Sequence, residues 1–176
     1  FTWNEEHFPD PARMLKELKE QGFHTVVMID PGIKVDPDYW VFQQGLEGEH
    51  FLRRPDGPYA QGKVWPGECY FPDYTDPKTR TWWAGLYKYM IRQMGVAGVW
   101  NDMNEPAVFD VPSKTLPEDV RFHYEGHSAS HRKGHNIYGM QMSRATYEGV
   151  KEYLYPKRPL VITRASYSGG QRYASV

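Results

Sequence analysis

The stretch GVWNDMNEP, residues 98–106, joins an apolar run to a cluster of carboxylates and amides. Val99 and Trp100 lie in a continuous apolar segment, which is typical of a strand that is covered on both faces in a parallel sheet. The segment ends at Asp102, and Glu105 follows three residues later. Because the carboxyl ends of parallel strands form the mouth of the active site in α/β folds, Asp102 is a candidate catalytic residue.

Two further apolar runs also end in a charged residue. HTVVMID (24–30) ends in Asp30, and PLVITR (159–164) ends in Arg164. Charged groups that converge at one edge of a sheet are costly to desolvate unless a ligand or a reaction uses them. We therefore expect Asp30, Asp102 and Arg164 to meet at one site.

Each apolar run follows a segment with a helical pattern. The first helix is predicted between Asp10, a capping residue, and Gly22; the second runs from Asp76 to Gly95 with the same plan. The third is predicted over roughly residues 136–155. This alternation predicts an α/β fold with a parallel sheet and right-handed crossovers.

The segments that follow the first two strands are long and rich in Gly, Pro, Tyr and Asp. They span residues 31–75 and 103–135. Structureless connections of this length are uncommon in compact domains unless they build a binding site. We therefore expect both segments to be long loops around the strand ends.

Composition narrows the possible partners. The net charge is −1 with no basic stripe, so the sequence predicts no nucleic-acid partner, and it contains no apolar run of the roughly 18 residues that a membrane helix needs.

The single cysteine, Cys69, excludes an internal disulfide, and the source compartment stays open with a mild lean towards a reducing, cytoplasmic one. Aromatic residues reach 15%, which fits either a sugar-stacking surface or a tyrosine-rich core. The chain starts without methionine, which suggests either an excerpt of a longer chain or a processed product.

The sequence patterns of metal sites, nucleotide-binding sites and serine nucleophiles fit this chain poorly. His123, His127, His131 and His135 recur every four residues, but the glycines and serines between them predict a loop, with His135 near the start of the third helix. We therefore predict no metal site. Neither a dinucleotide or P-loop glycine pattern nor a GxSxG nucleophile elbow is present.

Carboxylate chemistry fits the sequence better. Hydrolysis of a glycosidic bond uses two carboxyl groups, one ionised and one protonated. Asp102 is a plausible ionised nucleophile, flanked by Asn101 and Asn104 as hydrogen-bonding groups, and Arg164 would keep a neighbouring carboxylate ionised or bind a hydroxyl. Trp65 and Trp100 would supply apolar walls, and Asp30 would be free to bind hydroxyls.

Six consecutive segments of the chain together resemble glycoside hydrolase family 31, the family of α-glucosidases and α-xylosidases. In chain order they are FTWNEEHFPDP, VMIDPGIKVD, GKVWPGECYFPDYT, GVWNDMNEP, HNIYGMQMSRATYEG and ITRASYSGGQRY. The resemblance implies a (β/α)8 barrel, of which residues 1–176 would form a central portion with about three βα units and long loops after the strands. It also implies a retaining double-displacement mechanism without metal or organic cofactor.

The resemblance also implies roles for individual residues. Asp102 would be the nucleophile, and Glu105 would support its loop through hydrogen bonds rather than transfer a proton. The residues expected to bind or orient the sugar are Asp30, Trp65, Trp100, Met103 and Arg164. The implied activity is hydrolysis of terminal α-linked glucosyl residues of oligosaccharides; α-xylosidase or transglycosylase activity and a non-catalytic carbohydrate-binding protein are the alternatives.

The chain departs from the family pattern at its end. In the family, the general acid/base lies in a Trp-Thr-Gly-Asp segment shortly after the stretch that GGQRYA represents, and this sequence stops at Val176. We therefore assign no residue of this chain as the acid. We expect the 176 residues alone to be inactive and poorly stable without the rest of the barrel, and the oligomeric state stays open.

Overall fold

Four α-helices and eight short strands alternate along the chain, and the computed structural model describes all residues, 1–176. In chain order they are α1 (Pro11–Glu20), β1 (Val26–Ile29), β2 (Ile33–Lys34), α2 (Trp40–Glu47), β3 (Gln61–Val64), β4 (Gly67–Tyr70), α3 (Pro77–Lys88), β5 (Gly98–Asn101), β6 (Arg121–Phe122), β7 (Ala129–Ser130), α4 (His131–Leu154) and β8 (Val161–Thr163). None of the helices combines the length and the apolar character that crossing a membrane requires.

The three apolar runs form one parallel sheet in the order β1-β5-β8. Each strand is thus paired with the strand of the next helix–strand unit, which is the arrangement of neighbouring units in a (β/α)8 barrel. In the shared register Met28 pairs with Trp100, and Trp100 pairs with Ile162. The predicted α/β fold and parallel pairing are therefore confirmed.

Helices α1 and α3, the first two that the sequence predicts, begin at the predicted positions. The Asp10 carboxylate accepts a hydrogen bond from the Arg13 N–H (3.0 Å), and the Asp76 carboxylate accepts one from the Lys78 N–H (2.9 Å). Each cap satisfies a backbone donor that has no partner within the helix. After α3 the chain continues as one π-helical turn and reverses at Gly95, whose φ of 87° favours glycine.

The start predicted for the third helix is wrong. Helix α4 begins at His131 rather than near residue 136, because its first turn is covered by the β6–β7 hairpin. His131 stacks on Phe122, and a Cβ at Gly134 would meet the same ring at 3.0 Å. Gly134, one of the two glycines that suggested a loop, is therefore a position of close packing in a helix, whereas Gly126 lies in the turn before it.

Helices α3 and α4 pack on each other and on one face of the parallel sheet. The Trp83 indole N–H donates to the Thr146 hydroxyl (3.2 Å), and the Tyr87 hydroxyl contacts the same oxygen (3.1 Å). Val99 and Val161 supply the buried side chains of the sheet on this side. The main core thus lies between the sheet and these two helices.

The long segments after the first two strands are more ordered than the sequence suggests. Residues 31–75 contain α2 and an antiparallel sheet of order β2-β4-β3, and residues 103–135 contain the β6–β7 hairpin. Strands of only two to four residues, two of which contain glycine, give little periodic signal. Many of the tyrosines of the chain pack internally: Tyr74, Tyr87 and Tyr138 are fully buried.

Candidate active site

Strand alternation places the three charged strand-end residues on one face of the sheet. Side chains two residues apart point to the same face, so Asp30 follows Met28 and Asp102 follows Trp100 on the face opposite the helices. Arg164 follows Ile162 in the same way. The expected convergence of Asp30, Asp102 and Arg164 is therefore observed.

Arg164 joins the loop after β5 to the end of β8. Its Nε and Nη2 donate to the two carboxylate oxygens of Glu105 at 2.8 and 2.9 Å, and Nη2 also lies 3.1 Å from the Met103 Sδ. Nε is 3.2 Å from the Asp102 Oδ1, an ion-pair contact. The planar fork of the guanidinium thus binds Glu105 with two parallel hydrogen bonds and reaches Asp102 from the side.

Glu105 is an anion that orients Arg164. Burial acts to raise the pKa of the Glu105 carboxyl, but the hydrogen bonds from Arg164 and its positive charge outweigh that effect and leave the pKa below its usual range. The hydrogen bonds to Glu105 in turn raise the pKa of Arg164. A carboxyl held in this state is a poor proton donor near neutral pH.

The surroundings of Asp30 disfavour the charged form of its carboxyl group. Burial raises the pKa of its carboxyl, the charge of Asp102 raises it further, and Arg164 offsets only part of this. The Asp30 Oδ1 is buried and has no hydrogen-bond partner. A buried carboxylate oxygen without a partner is an acceptor available to a ligand hydroxyl.

Asp102 is accessible from the open face of the sheet. Its side chain is 14% exposed, and its only close charged partner is Arg164. Its Oδ1 is buried and accepts no hydrogen bond. Trp100 is 38% exposed and lies two residues before Asp102 on the same face of the sheet. A carboxyl group beside a cation and an indole ring is arranged to approach an electrophilic carbon of a ligand.

The structure does not bring Trp65 into this cluster. Trp65 lies in the turn between β3 and β4, is 74% exposed, and packs edge-on against Phe109 with ring centroids 4.8 Å apart. The Phe109 N–H donates to the Lys63 carbonyl oxygen (2.9 Å), which ties the loop after β5 to this hairpin. Trp65 is thus an exposed aromatic residue near that loop, without a hydrogen bond or ring contact to Asp102.

Neither amide that was expected to flank Asp102 forms a hydrogen bond with it. The Asn104 Nδ2 donates to the Thr163 hydroxyl at 2.9 Å, and its Oδ1 accepts from the Ala165 N–H at 3.3 Å. Asn101 is fully buried on the helix side of the sheet, beside the Tyr87 hydroxyl. The expectation that both amides bind Asp102 is therefore wrong, because strand alternation and the β5–β8 pairing direct them elsewhere.

The four regularly spaced histidines do not share one face. His131 and His135 lie on α4 with their ring nitrogens 3.1 Å apart, whereas His123 and His127 lie at the two ends of a short 3-10 turn. No group of three or more His, Cys, Asp or Glu side chains is arranged to hold a metal ion.

Comparison with known proteins agrees with the fold. The profile of the glycosyl hydrolases family 31 TIM-barrel domain matches residues 1–176. Alpha-glucosidase 2 of Bacillus thermoamyloliquefaciens is 42% identical over 176 residues, which are 100% of this chain and 22% of that protein.

Solved structures show the same relationship. An ER glucosidase II heterodimer, built from a catalytic subunit and the binding domain of a regulatory subunit, has a chain that superposes with a TM-score of 0.88 at 37% identity over 98% of this chain and 19% of its own. The family 31 alpha-glucosidase of Bacteroides thetaiotaomicron gives 0.81 at 42% identity, over 98% of this chain and 27% of its own. The chain spans about a fifth to a quarter of the length of these relatives. With the profile match over its whole length, this chain belongs to glycoside hydrolase family 31 and forms part of its TIM-barrel domain.

Proposed function

We propose that this chain is the nucleophile-bearing part of a retaining α-glucosidase that removes terminal α-linked glucosyl residues from oligosaccharides. The observation that carries the proposal is the position of Asp102: partly exposed at the carboxyl end of β5, in contact with Arg164, and on the same face as Asp30. The names of the relatives, which are alpha-glucosidases, support the substrate class.

The proposed reaction has two displacements at the anomeric carbon. An Asp102 oxygen forms a bond to the anomeric carbon while the bond between that carbon and the leaving oxygen breaks. The leaving oxygen takes a proton from a carboxylic acid. Water then attacks the same carbon, gives its proton to the same acid group, and releases Asp102 as a carboxylate. Glu105 does not fit the acid role because Arg164 holds it ionised. We assign no residue of this chain as the acid.

The remaining residues bind and orient the sugar in this proposal. Asp30 accepts a hydrogen bond from a sugar hydroxyl at its unpartnered oxygen, and Trp100 with Met103 forms the apolar floor. Arg164 contacts Asp102 and, through Glu105, fixes the loop that carries it. Trp65 would contact a bound sugar from the outer edge of the site.

The test is performed on the full-length enzyme that contains this domain. Asp102→Asn is expected to lower kcat for an aryl α-glucoside by at least about 10³-fold, because the covalent route is lost. Asp102→Gly with added azide is expected to regain turnover and to give a glycosyl azide, since the small anion takes the place of the missing carboxylate.

Labelling with a cyclic epoxide of glucose configuration separates the alternatives. Mass spectrometry is expected to find the label on the peptide that contains Asp102. Near-parental activity of Asp102→Asn would remove the proposal. Full sugar affinity in Asp102→Ala together with no covalent labelling of the unmodified enzyme would favour a non-catalytic carbohydrate-binding protein. Faster turnover of aryl α-xylosides, or transfer to sugar acceptors, would favour the other two alternatives.

A further inference from the structure

The loop that presents Asp102 is tied down at two points. On one side, Asn104 binds the hydroxyl of Thr163 and the backbone of Ala165 at the end of β8. On the other side, the Thr115 hydroxyl donates to the Pro106 carbonyl oxygen, with 2.6 Å between the oxygen atoms. Glu105, the partner of Arg164, lies between these two points.

The loop needs such restraint because its backbone is not relaxed. Met103, the residue after Asp102, has a φ of 55°, a left-handed conformation that residues other than glycine seldom adopt. Such a conformation persists only where the surroundings enforce it. The Asp102 Oδ1 receives no hydrogen bond, so backbone restraint and the Arg164 contact decide where that oxygen points.

Two histidines of α4 lie behind Thr115. The His131 Nε2 is 3.2 Å from the Thr115 Oγ1 and 3.1 Å from the His135 Nδ1. His131 is only 2% exposed, and burial, followed by the influence of His135, lowers the pKa of His131 to about 4, so its ring is neutral at neutral pH. Its Nδ1 is buried without a partner.

Counting protons fixes the direction of this chain of hydrogen bonds. The single hydroxyl proton of Thr115 is used on the Pro106 carbonyl, so its oxygen can only accept from His131. The neutral His131 ring then carries its proton on Nε2, which leaves Nδ1 as a bare acceptor. The opposite tautomer would bury an N–H donor without a partner at Nδ1, which is the costlier arrangement. The His135 Nδ1 faces the same Nε2–H as an acceptor.

We infer that Thr115, whose hydroxyl donates to the Pro106 carbonyl and accepts from His131, is a positioning residue for the nucleophile: it holds the Pro106 carbonyl and thereby the register of Glu105 and Asp102. The inference rests on the proposed function of Asp102. No sequence pattern indicates this role, because Thr115 and His131 lie 13 and 29 residues beyond Asp102 in a segment that was expected to be a loop.

The experiment compares Thr115→Val with Thr115→Ser in the full-length enzyme. Valine keeps the shape but loses the hydroxyl, and serine keeps the hydroxyl. With α-glucosyl fluoride, whose leaving group needs little acid assistance, Thr115→Val is expected to lower kcat roughly tenfold with KM changed less than about twofold, since misplacement of a reacting group acts on the chemical step. The rate of labelling by the cyclic epoxide is expected to fall in parallel, and Thr115→Ser to restore both rates to within about twofold of the parent.

Ser113→Ala is the matched control. The Ser113 hydroxyl donates to the Thr115 carbonyl oxygen (3.0 Å) but not to the loop that carries Asp102, so kcat is expected to stay unchanged. Thr115→Ala replaces Thr115→Val if the valine variant does not fold. Parental kcat and labelling rate in a folded variant without the hydroxyl would overturn the inference, as would an equal loss in Thr115→Ser. Labelling of Asp102 in the unmodified enzyme tests the proposed function separately: its absence would defeat that proposal, whereas its presence beside a fully active Thr115→Val would defeat only this inference.

Discussion

Asp30 and Asp102 are carboxylates at the ends of adjacent strands, and Arg164 lies beside them. The guanidinium gives its two best-aligned hydrogen bonds to Glu105, so the three carboxylates together carry more negative charge than the single cation offsets. This excess of negative charge affects Asp30: its buried oxygen has no hydrogen-bond partner, and its pKa is raised by burial and by Asp102. This arrangement is unfavourable for the folded chain alone and is suited to a ligand that brings hydroxyl donors.

Asp30→Asn is therefore expected to stabilise the folded enzyme at pH 7 while it weakens sugar binding. The folded-state pKa of Asp30 is raised above the value for an exposed carboxyl, so the folded state binds this proton more tightly than the unfolded state. Ionisation of Asp30 consequently costs stability as pH rises through the interval from the ordinary carboxyl pKa to the raised one. The asparagine variant has no such cost and is therefore expected to be more stable than the parent at pH 7.

Urea unfolding at pH 3 and pH 7 measures this difference. The gain from Asp30→Asn should be present at pH 7 and should shrink at pH 3, where the parent carboxyl is protonated. Asp119→Asn is the control, a carboxylate in the loop after β5 that belongs to no ion pair, and it should change little at either pH. An Asp30→Asn variant that is less stable than the parent at pH 7 would show that the carboxylate is stabilised by its surroundings.

At the scale of elements, the contact between α3 and α4 supports the sheet that carries the site. Thr146 of α4 binds both Trp83 and Tyr87 of α3, and all three side chains are fully buried. Gly149 lies one turn further along α4, where an added Cβ would overlap the backbone of Ala84. The helices approach so closely at that point that only glycine fits without a shift of one helix.

Two glycine substitutions in these helices should have opposite effects. Gly149→Ala is expected to destabilise the fold by about 1–3 kcal/mol, because the methyl group meets backbone rather than a flexible side chain. Gly85→Ala, at an exposed position of α3 with open space around it, is expected to stabilise by about 0.5–1 kcal/mol through helix propensity. Thermal unfolding of both variants measures the contrast, and equal melting temperatures would contradict the close-approach argument.

At the scale of the whole molecule, the parallel sheet is covered by helices on one face only. The other face exposes apolar side chains from all three strands and their flanks: Val26, Met28, Trp100 and Leu160 are each 37% exposed or more. Strand β1 is hydrogen-bonded to a neighbour, β5, along one edge only. In a closed (β/α)8 barrel this face lines the packed interior, and every strand has two neighbours.

The 176 residues expressed alone are therefore expected to self-associate at micromolar concentrations. Met28→Lys places a charge at the centre of the exposed face and should weaken association about tenfold or more. Phe8→Lys adds the same charge to an exposed aromatic residue outside the sheet and should leave association unchanged. Sedimentation velocity measures both variants, and a monomeric parent at these concentrations would contradict the expectation.

Much of the fold is encoded in short stretches of sequence. Asp10 and Asp76 cap their helices because a cap depends on residues two or three positions away. The apolar runs that end at Asp30, Asp102 and Arg164 predicted the parallel strands, and strand alternation then required those three side chains to share a face. The helix start at His131 was missed, since it depends on Phe122 from a hairpin with no periodic signal.

The sequence alone thus determined the order of three helices and the three parallel strands, and the identity of the charged residues at the edge of that sheet, because each of these depends on interactions within a few residues. Only the tertiary structure decided the partners: Glu105 binds Arg164 across 59 positions of sequence, Asn104 binds Thr163 across 59, and His131 reaches Thr115 across 16. Hydrogen bonds of this kind depend on which segments lie side by side after folding. No local pattern records that adjacency, and the orientation of Asp102 depends on it.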